Sequence, residues 1–339
     1  MSLKLLLKRG ALLAAANWPA VAIQFVAETT FQALLAVPIV GAAILVAVLI
    51  GEDLGELLQG STREIAARIA GALASDPTAL VSFGVAFSIA LAAGSALMFL
   101  VKGGTLDVLL AAHESAGDIE RQPITIETIA PAVSFSLERF IRGCTRLFRR
   151  YVVLGLALTA AHAVSGAIYL AFLLYGYRAA AGLLDVLGWT MIAAIAALVV
   201  IVWITLVNCV YLLMQIAIAA DNLGFGEACR AVARFIRTEF RALTRIFLII
   251  LGLVAGATLV SALAWSGVGL IAFLPLVGLA VIPLQIAALI IRGLAFEYIG
   301  LAAAGAYLTL YRREPRTLPR PQPVMVQSLD SPGTDSAAG

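Results

Sequence analysis

Arg139-Phe140-Ile141-Arg142 and Arg234-Phe235-Ile236-Arg237 are the same tetrapeptide, set 95 residues apart. At that offset Arg146 also falls on Arg241, and Arg150 on Arg245. Each copy stands just before a long apolar run. The pair reads as a duplicated unit, a basic helix leading into a membrane span, and that unit organises the expected fold.

The composition agrees. Of 339 residues, 62% are hydrophobic and 13% charged, and the mean hydropathy is +1.02. Soluble domains are about 45–50% apolar and about 25% charged. An integral membrane protein is the class that fits. The net charge of +3 says less than its distribution. Cys144, Cys209 and Cys229 form no CxxC pair and no metal-ligand spacing, so each is expected to pack rather than to bridge or to ligate. No cofactor and no metal is expected.

A helix needs about 20 apolar residues to cross a bilayer. Spans are expected at roughly 29–50, 80–101, 151–175, 188–217, 246–265 and 285–311. The stretch 268–284, which carries Pro275 and Pro283, is expected as an apolar segment at the outer interface, re-entrant or lying flat. Six spans place Lys4, Lys8, Arg9, Lys102, Arg121, both arginine clusters and Arg312, Arg313, Arg316 and Arg320 on one side. A seventh would move the last four across the membrane. The bias of Lys and Arg toward the cytoplasm therefore favours six spans, both termini inside, in a bacterial inner membrane.

One six-span domain is expected over 1–311, with a disordered cytoplasmic tail over 312–339 that has little to bury. The N-terminus imitates a signal peptide, but its apolar stretch is short and is interrupted by Asn17-Trp18-Pro19. It is expected to stay, with Lys4 and Lys8 on an amphipathic helix lying on the membrane. In the outer loop, Ser61-Thr62-Arg63-Glu64 has capping-box spacing and opens a short amphipathic helix. Asp76-Pro77 reads as the cap and first turn of span two. The fold class is thus all-α, with three parallel repeats over about 2–113, 132–221 and 227–311. Each repeat is a basic interfacial helix followed by a membrane hairpin.

At 100° per residue, Arg230, Arg234, Arg237, Arg241 and Arg245 fall within about 80° of one another. Arg139, Arg142, Arg146, Arg149 and Arg150 fall within about 100°. Phe140, Ile141 and Phe148 lie opposite in the first cluster; Val232, Phe235, Ile236 and Leu243 do so in the second. The pattern predicts helices with their apolar faces in the bilayer edge and their arginines toward anionic headgroups. The bland alternative is that these charges only set orientation. No aromatic reading surface accompanies them, so nucleic acid is not expected.

Several polar residues interrupt the apolar runs. His162 lies 11 residues into span three, about 16 Å along the axis and near mid-membrane. It reads as an interhelical hydrogen-bonding residue or as a proton relay. Gln24, Glu28 and Gln32 recur on one face. Thr205, Asn208 and Gln215 share a face of span four. Arg292 and Glu297 lie in span six, about 140° apart, so they do not pair with each other; Glu28 with Arg292 is the alternative. His162, Glu28, Asn208, Gln215, Arg292 and Glu297 form the candidate intramembrane site, either lining a polar cavity or tying helices together. Gly252 and Gly256 make a GxxxG that predicts close helix packing.

There is no GxxxxGK[ST] loop, no HExxH and no GxSxG, so no enzymatic activity is expected. Leu223-Gly-Phe-Gly-Glu-Ala-Cys-Arg-Ala-Val-Ala-Arg-Phe-Ile236 resembles an element of poorly characterised bacterial multi-pass families. In these a span ends, a Glu-Ala opens a basic amphipathic helix, and another span follows. Together with Tyr307-Leu-Thr-Leu-Tyr311-Arg-Arg, it is similar to the membrane domain that precedes some glycerophosphodiester phosphodiesterases. The catalytic domain of those enzymes is absent here, so the resemblance implies six spans and no hydrolase activity. The expected function is non-enzymatic handling or sensing of membrane lipids. A small-solute or ion transporter and a membrane scaffold are the alternatives. The expected partners are the bilayer, anionic lipids on its cytoplasmic side, and further subunits of the same or another chain.

Overall fold

The computed structural model describes residues 2–50, 71, 77–180, 182–272 and 277–313. Apart from a 3-10 turn at Ala130–Ala132, the regular elements among them are α-helices. They are α1 (Leu3–Ala16), α2 (Trp18–Ile50), α3 (Pro77–Ser115), α4 (Ile126–Ile129), α5 (Leu137–Ala179), α6 (Leu183–Asp221), α7 (Phe225–Thr238), α8 (Phe240–Ala272) and α9 (Val277–Tyr311). Six stretches are long and apolar enough to cross a membrane.

Local chemistry sets the helix ends. Ser136 Oγ accepts from the Arg139 N–H to open α5, as an N-cap serine does. Asp185 and Glu227 reach back to the Gly182 and Gly224 N–H groups at the starts of α6 and α7. Asn222 stops α6 in the left-handed conformation, φ 54°, which asparagine tolerates better than most residues. Pro77 opens α3, where its missing N–H costs nothing.

The spanning helices are longer than a bilayer requires. They run from 33 residues in α2 and α8 to 43 in α5, or about 50 to 65 Å, against a hydrocarbon core of about 30 Å. The excess collects at one end. There Leu13, Leu109, Leu147, Tyr151, Leu213, Ile216, Phe235, Ile246 and Leu308 form a buried core. Toward the other end the same helices expose Val85, Ile89, Leu156, Ile168, Ile195, Leu198, Leu253 and Leu259. In no span is more than 22% of the most apolar window buried. The molecule has a close-packed end, which also carries most of the described basic residues, and a loosely joined apolar end that presents its side chains outward, as lipid-facing helices do.

Two glycine crossings tie the packed end together. A Cβ on Gly10 of α1 would lie 2.3 Å from the Ala302 carbonyl oxygen of α9. A Cβ on Gly104 of α3 would lie 2.7 Å from the Phe140 carbonyl oxygen of α5, and Gly143 meets Asp107 as closely. Only glycine allows backbones this near. Gly252 and Gly256, by contrast, have open space around them; among the described residues the close packing expected of that GxxxG does not form.

The three basic segments take three different forms. α1 does not lie flat on a membrane. It is buried through Leu6, Arg9, Gly10, Leu12, Leu13, Ala14 and Ala16 and packs chiefly along α9. Arg139–Arg150 do not form a separate interfacial helix either. They continue without a break into span three as the first turns of α5, since no proline or cap interrupts Arg150-Tyr151 and the Gly143 crossing needs a straight helix. Only α7 stands apart. Thr238 turns its hydroxyl back onto the Arg234 and Phe235 carbonyls, Glu239 ends the helix, and its carbonyl restarts the ladder of α8. The apolar face of α7, Ala228, Val232 and Phe235, is buried against protein, with Phe235 edge-on to Tyr311, and not in the bilayer edge.

The described parts of 268–284 belong to the flanking helices, and 273–276 lie outside the described residues. Residues 268–272 finish α8 and 277–284 begin α9. Both ends of the described chain lie at the packed end, where Tyr298 of α9 donates to the Ala11 carbonyl of α1. Side by side, the spans follow the order α6, α5, α3, α2, α9, α8. Among the described residues α6 and α8 form no packed face with each other, and α7 bridges them. The expected outer helix over 61–73, apart from Gly71, lies outside the described residues, as does the tail from residue 314.

Candidate functional site

The two arginine clusters share a sequence but not their partners. In the first, Arg146 is ion-paired with Asp107 of α3 and Arg142 with Glu138. Arg139 donates to the Ser134 carbonyl at 2.9 Å, and Arg150 donates to the Asn222 side chain. Among the described residues only Arg149 of this cluster is left over. In the second cluster Arg230, Arg234, Arg237, Arg241 and Arg245 are all exposed. Arg230 reaches only a carbonyl of its own helix, Gly226, at 3.4 Å. Among the described residues the other four have no hydrogen-bond or ion-pair partner. This is the one concentration of uncompensated charge among them.

The second cluster also has shape. At the elbow between α7 and α8 lies an open groove of about 480 Å3, lined by Arg237, Glu239, Phe240, Arg241 and Arg245. Arg245 and Arg241 precede Leu248, where the exposed apolar run of α8 begins, by three and seven residues. Along the helix that is about 5 and 10 Å. The groove therefore sits at the edge of the apolar belt, at headgroup depth if the belt fills the bilayer.

The six candidate intramembrane residues do not gather into one site. Glu28 and Glu297 lie within electrostatic range of Lys102 of α3, and the buried Gln24 lies beside Glu297. The Gln24 amide oxygen is left with no partner. Arg292 turns outward and lies over Phe296, 5.6 Å from the ring centroid. It does not pair with Glu28, because the five-residue offset that brings Glu297 inward sends Arg292 out. Gln215 is fully buried in the packed core, its carbonyl accepting from Tyr151 at 3.0 Å. Asn208 is exposed.

His162 is half-buried and has no hydrogen-bond partner among the described residues. Gly155 faces Phe99. His162 is seven residues beyond Gly155, and Lys102 is three beyond Phe99 in the opposite direction. The histidine is thus about 15 Å along the bundle from the Lys102 cluster. Its neighbours on α5 make the contacts to α6 instead. Trp203 donates to Ser165, and Tyr169 to the Ala193 carbonyl.

A second buried polar site lay outside the sequence expectations. Arg9 of α1 donates to Glu120 at 2.8 Å, with both side chains nearly excluded from solvent. It also donates to the Gly117 and His113 carbonyls and to His113 Nδ1. At the C-terminal end of α1 the buried Asn17 donates to the Leu13 and Ala132 carbonyls and accepts from the Ser134 N–H at 3.0 Å. These bonds satisfy the buried groups and clamp α1 onto the 113–134 connection, which is a structural task. Lys102, in turn, had been counted only as a topology charge. The signal that would have found it is its position: it directly follows an apolar stretch on a helix that still had 13 residues to run.

No family model, curated protein or solved structure matches this chain.

Proposed function

We propose that this is a non-enzymatic, multi-pass inner-membrane protein that handles or senses anionic lipids through the arginines of α7 and the start of α8. The observation that carries this reading is the contrast between two copies of one motif. In the copy at Arg139–Arg150, Asp107 and Glu138 pair two of the arginines, and a backbone carbonyl and an amide oxygen hold two more. The copy at Arg230–Arg245 is exposed and unpaired, and it adjoins the apolar belt. Charges kept uncompensated at such a border attract anionic headgroups by about 1 kcal/mol each. The packed end would then face the cytoplasm with both chain ends, in keeping with the Lys and Arg bias. The three hairpins would be descendants of one repeat whose basic segments have since diverged. The loose likeness to the membrane domain before some glycerophosphodiester phosphodiesterases accords with this layout.

The test is lipid selectivity around the reconstituted protein, read with spin-labelled lipids. The wild type should prefer anionic over zwitterionic lipid, less so as salt rises, because exposed charges are screened within about 8 Å at physiological ionic strength. Arg234→Gln/Arg237→Gln/Arg241→Gln should lose most of the preference and its salt sensitivity. A wild type with no anionic preference at low salt would refute the proposal.

A second reading rests on a different observation. Gln24, Glu28, Lys102 and Glu297 bring two carboxylates, one ammonium and an unpartnered amide oxygen together in spans. Intramembrane ionisable groups often mark ion pathways, so transport of a small cation is the alternative. It predicts that Glu297→Gln abolishes cation flux into proteoliposomes while leaving lipid selectivity intact.

A further inference from the structure

We infer that the α7–α8 elbow is a binding pocket for one phosphomonoester headgroup of a membrane lipid. This rests on the lipid reading above and narrows it from a diffuse basic surface to a single site with a stated ligand chemistry. Three observations carry it. The elbow is concave, and its groove of about 480 Å3 falls within the range of small-ligand pockets. Its charged lining is Arg237, Arg241 and Arg245 against Glu239, a net charge of +2 from three positive groups and one negative. A phosphomonoester carries about −1.5 to −2 at neutral pH, whereas a phosphodiester headgroup oxygen pair carries one charge. Among the described residues the guanidinium forks of Arg237, Arg241 and Arg245 have no acceptor, which leaves their N–H groups to take phosphate oxygens two at a time.

Depth selects the source of the phosphate. Arg241 and Arg245 lie within about 10 Å of the exposed apolar run that starts at Leu248. Phe240, exposed beside them in the same groove, offers an apolar surface of the kind found where acyl chains meet headgroups. A soluble phosphate would need none of this. The ring of Phe240 and the belt beyond it suit a ligand whose phosphate is attached to a hydrocarbon tail. Arg230 and Arg234 share the basic face of α7 but do not line the groove. They are the internal control.

The experiment measures binding of a fluorescent phosphatidate and a fluorescent phosphatidylglycerol to the intact protein in mild detergent. The wild type should prefer phosphatidate by about tenfold or more, the size of one charged hydrogen-bond pair. Arg241→Gln/Arg245→Gln should lose about tenfold in phosphatidate affinity. Arg230→Gln/Arg234→Gln removes the same two charges from the basic face outside the groove; it should weaken binding of both lipids alike, by less than the groove pair costs phosphatidate, and leave the preference for phosphatidate in place. Arg241→Lys/Arg245→Lys keeps the charge without the fork and should restore phosphatidate binding only in part. Millimolar glycerol phosphate should not compete.

Equal losses in the two Gln pairs, or full rescue by lysine, would overturn the pocket and leave a diffuse collar. Equal affinity for the two lipids would overturn the phosphomonoester assignment. Competition by glycerol phosphate would overturn the lipid source. A wild type that binds neither lipid would refute the underlying lipid reading as well.

Discussion

Arg9 Nη1 donates to Glu120 Oε2 at 2.8 Å, and each side chain is at most 9% exposed. The pair joins the first helix to the connection between α3 and α4, 111 residues later. Two charges this far from water are compensated by each other and by the Gly117 and His113 carbonyls. Removing one leaves the other stranded, which typically costs about 3–5 kcal/mol. Glu120→Leu or Arg9→Met alone should therefore lower unfolding stability in detergent by that order, while Arg9→Met/Glu120→Leu together should recover much of it. Single substitutions that cost no more than a surface pair would show that α1 is not held by this bond.

The glycine crossings predict a selective steric penalty. Gly10→Ala sets a methyl group 2.3 Å from a backbone oxygen of α9, and Gly104→Ala sets one 2.7 Å from a backbone oxygen of α5. Neither neighbour is a side chain that can swing away. Each should cost about 1–3 kcal/mol as overpacking. Gly252→Ala and Gly256→Ala meet open space and should leave thermal stability unchanged or slightly raised, since alanine is the better helix former. A melting-temperature series on the four variants checks both halves.

His162 should be dispensable for stability. An interhelical hydrogen bond in a membrane averages about 0.6 kcal/mol, and His162 makes none among the described residues. His162→Leu should change stability by less than that, whereas Tyr151→Phe should cost about 1 kcal/mol, because it removes the bond to the buried Gln215 carbonyl. A His162→Leu loss as large as that of Tyr151→Phe would mean that the histidine has a partner in the membrane.

Orientation has its own test, and burial decides which thiols can report it. Cys144 is buried against Gly104, so its failure to react would report burial, not sidedness. In a cysteine-free background, Asp185→Cys at the apolar end and Arg149→Cys at the packed end both place an exposed thiol. With the packed end in the cytoplasm, an impermeant thiol reagent should label Asp185→Cys in intact cells and Arg149→Cys only after lysis. The reverse pattern would invert the topology.

Much of the architecture was legible in the chain because it depends on length and hydropathy. Runs of about 20 apolar residues, the break at Asn17, Pro77 as a first turn and the Glu227 cap of α7 all work locally. What covers an apolar face does not. Phe235 and Val232 show that one side of α7 avoids water, but the pattern is the same whether lipid or Tyr311 takes its place. The same limit hid the burial of α1, since Arg9 looks like any topology charge until Glu120, far away in the chain, folds onto it. The doubled Arg-Phe-Ile-Arg motif marked both basic segments. Which copy finds carboxylate partners was decided by Asp107 and Glu138, and one of those stands on another helix. His162 stood out as a charge-capable group in an apolar run, yet Lys102, Glu28 and Glu297 are the ones the topology brings together.

The most direct test of a lipid role is native mass spectrometry of the intact protein released from nanodiscs that contain equal amounts of anionic and zwitterionic phospholipid. The wild type should carry anionic lipid in excess, and Arg234→Gln/Arg237→Gln/Arg241→Gln should carry the two lipids in the proportion of the disc. Retention in bulk proportion by the wild type, or an anionic excess that survives the triple substitution, would contradict the assignment of lipid recognition to the unpaired arginines of α7 and α8.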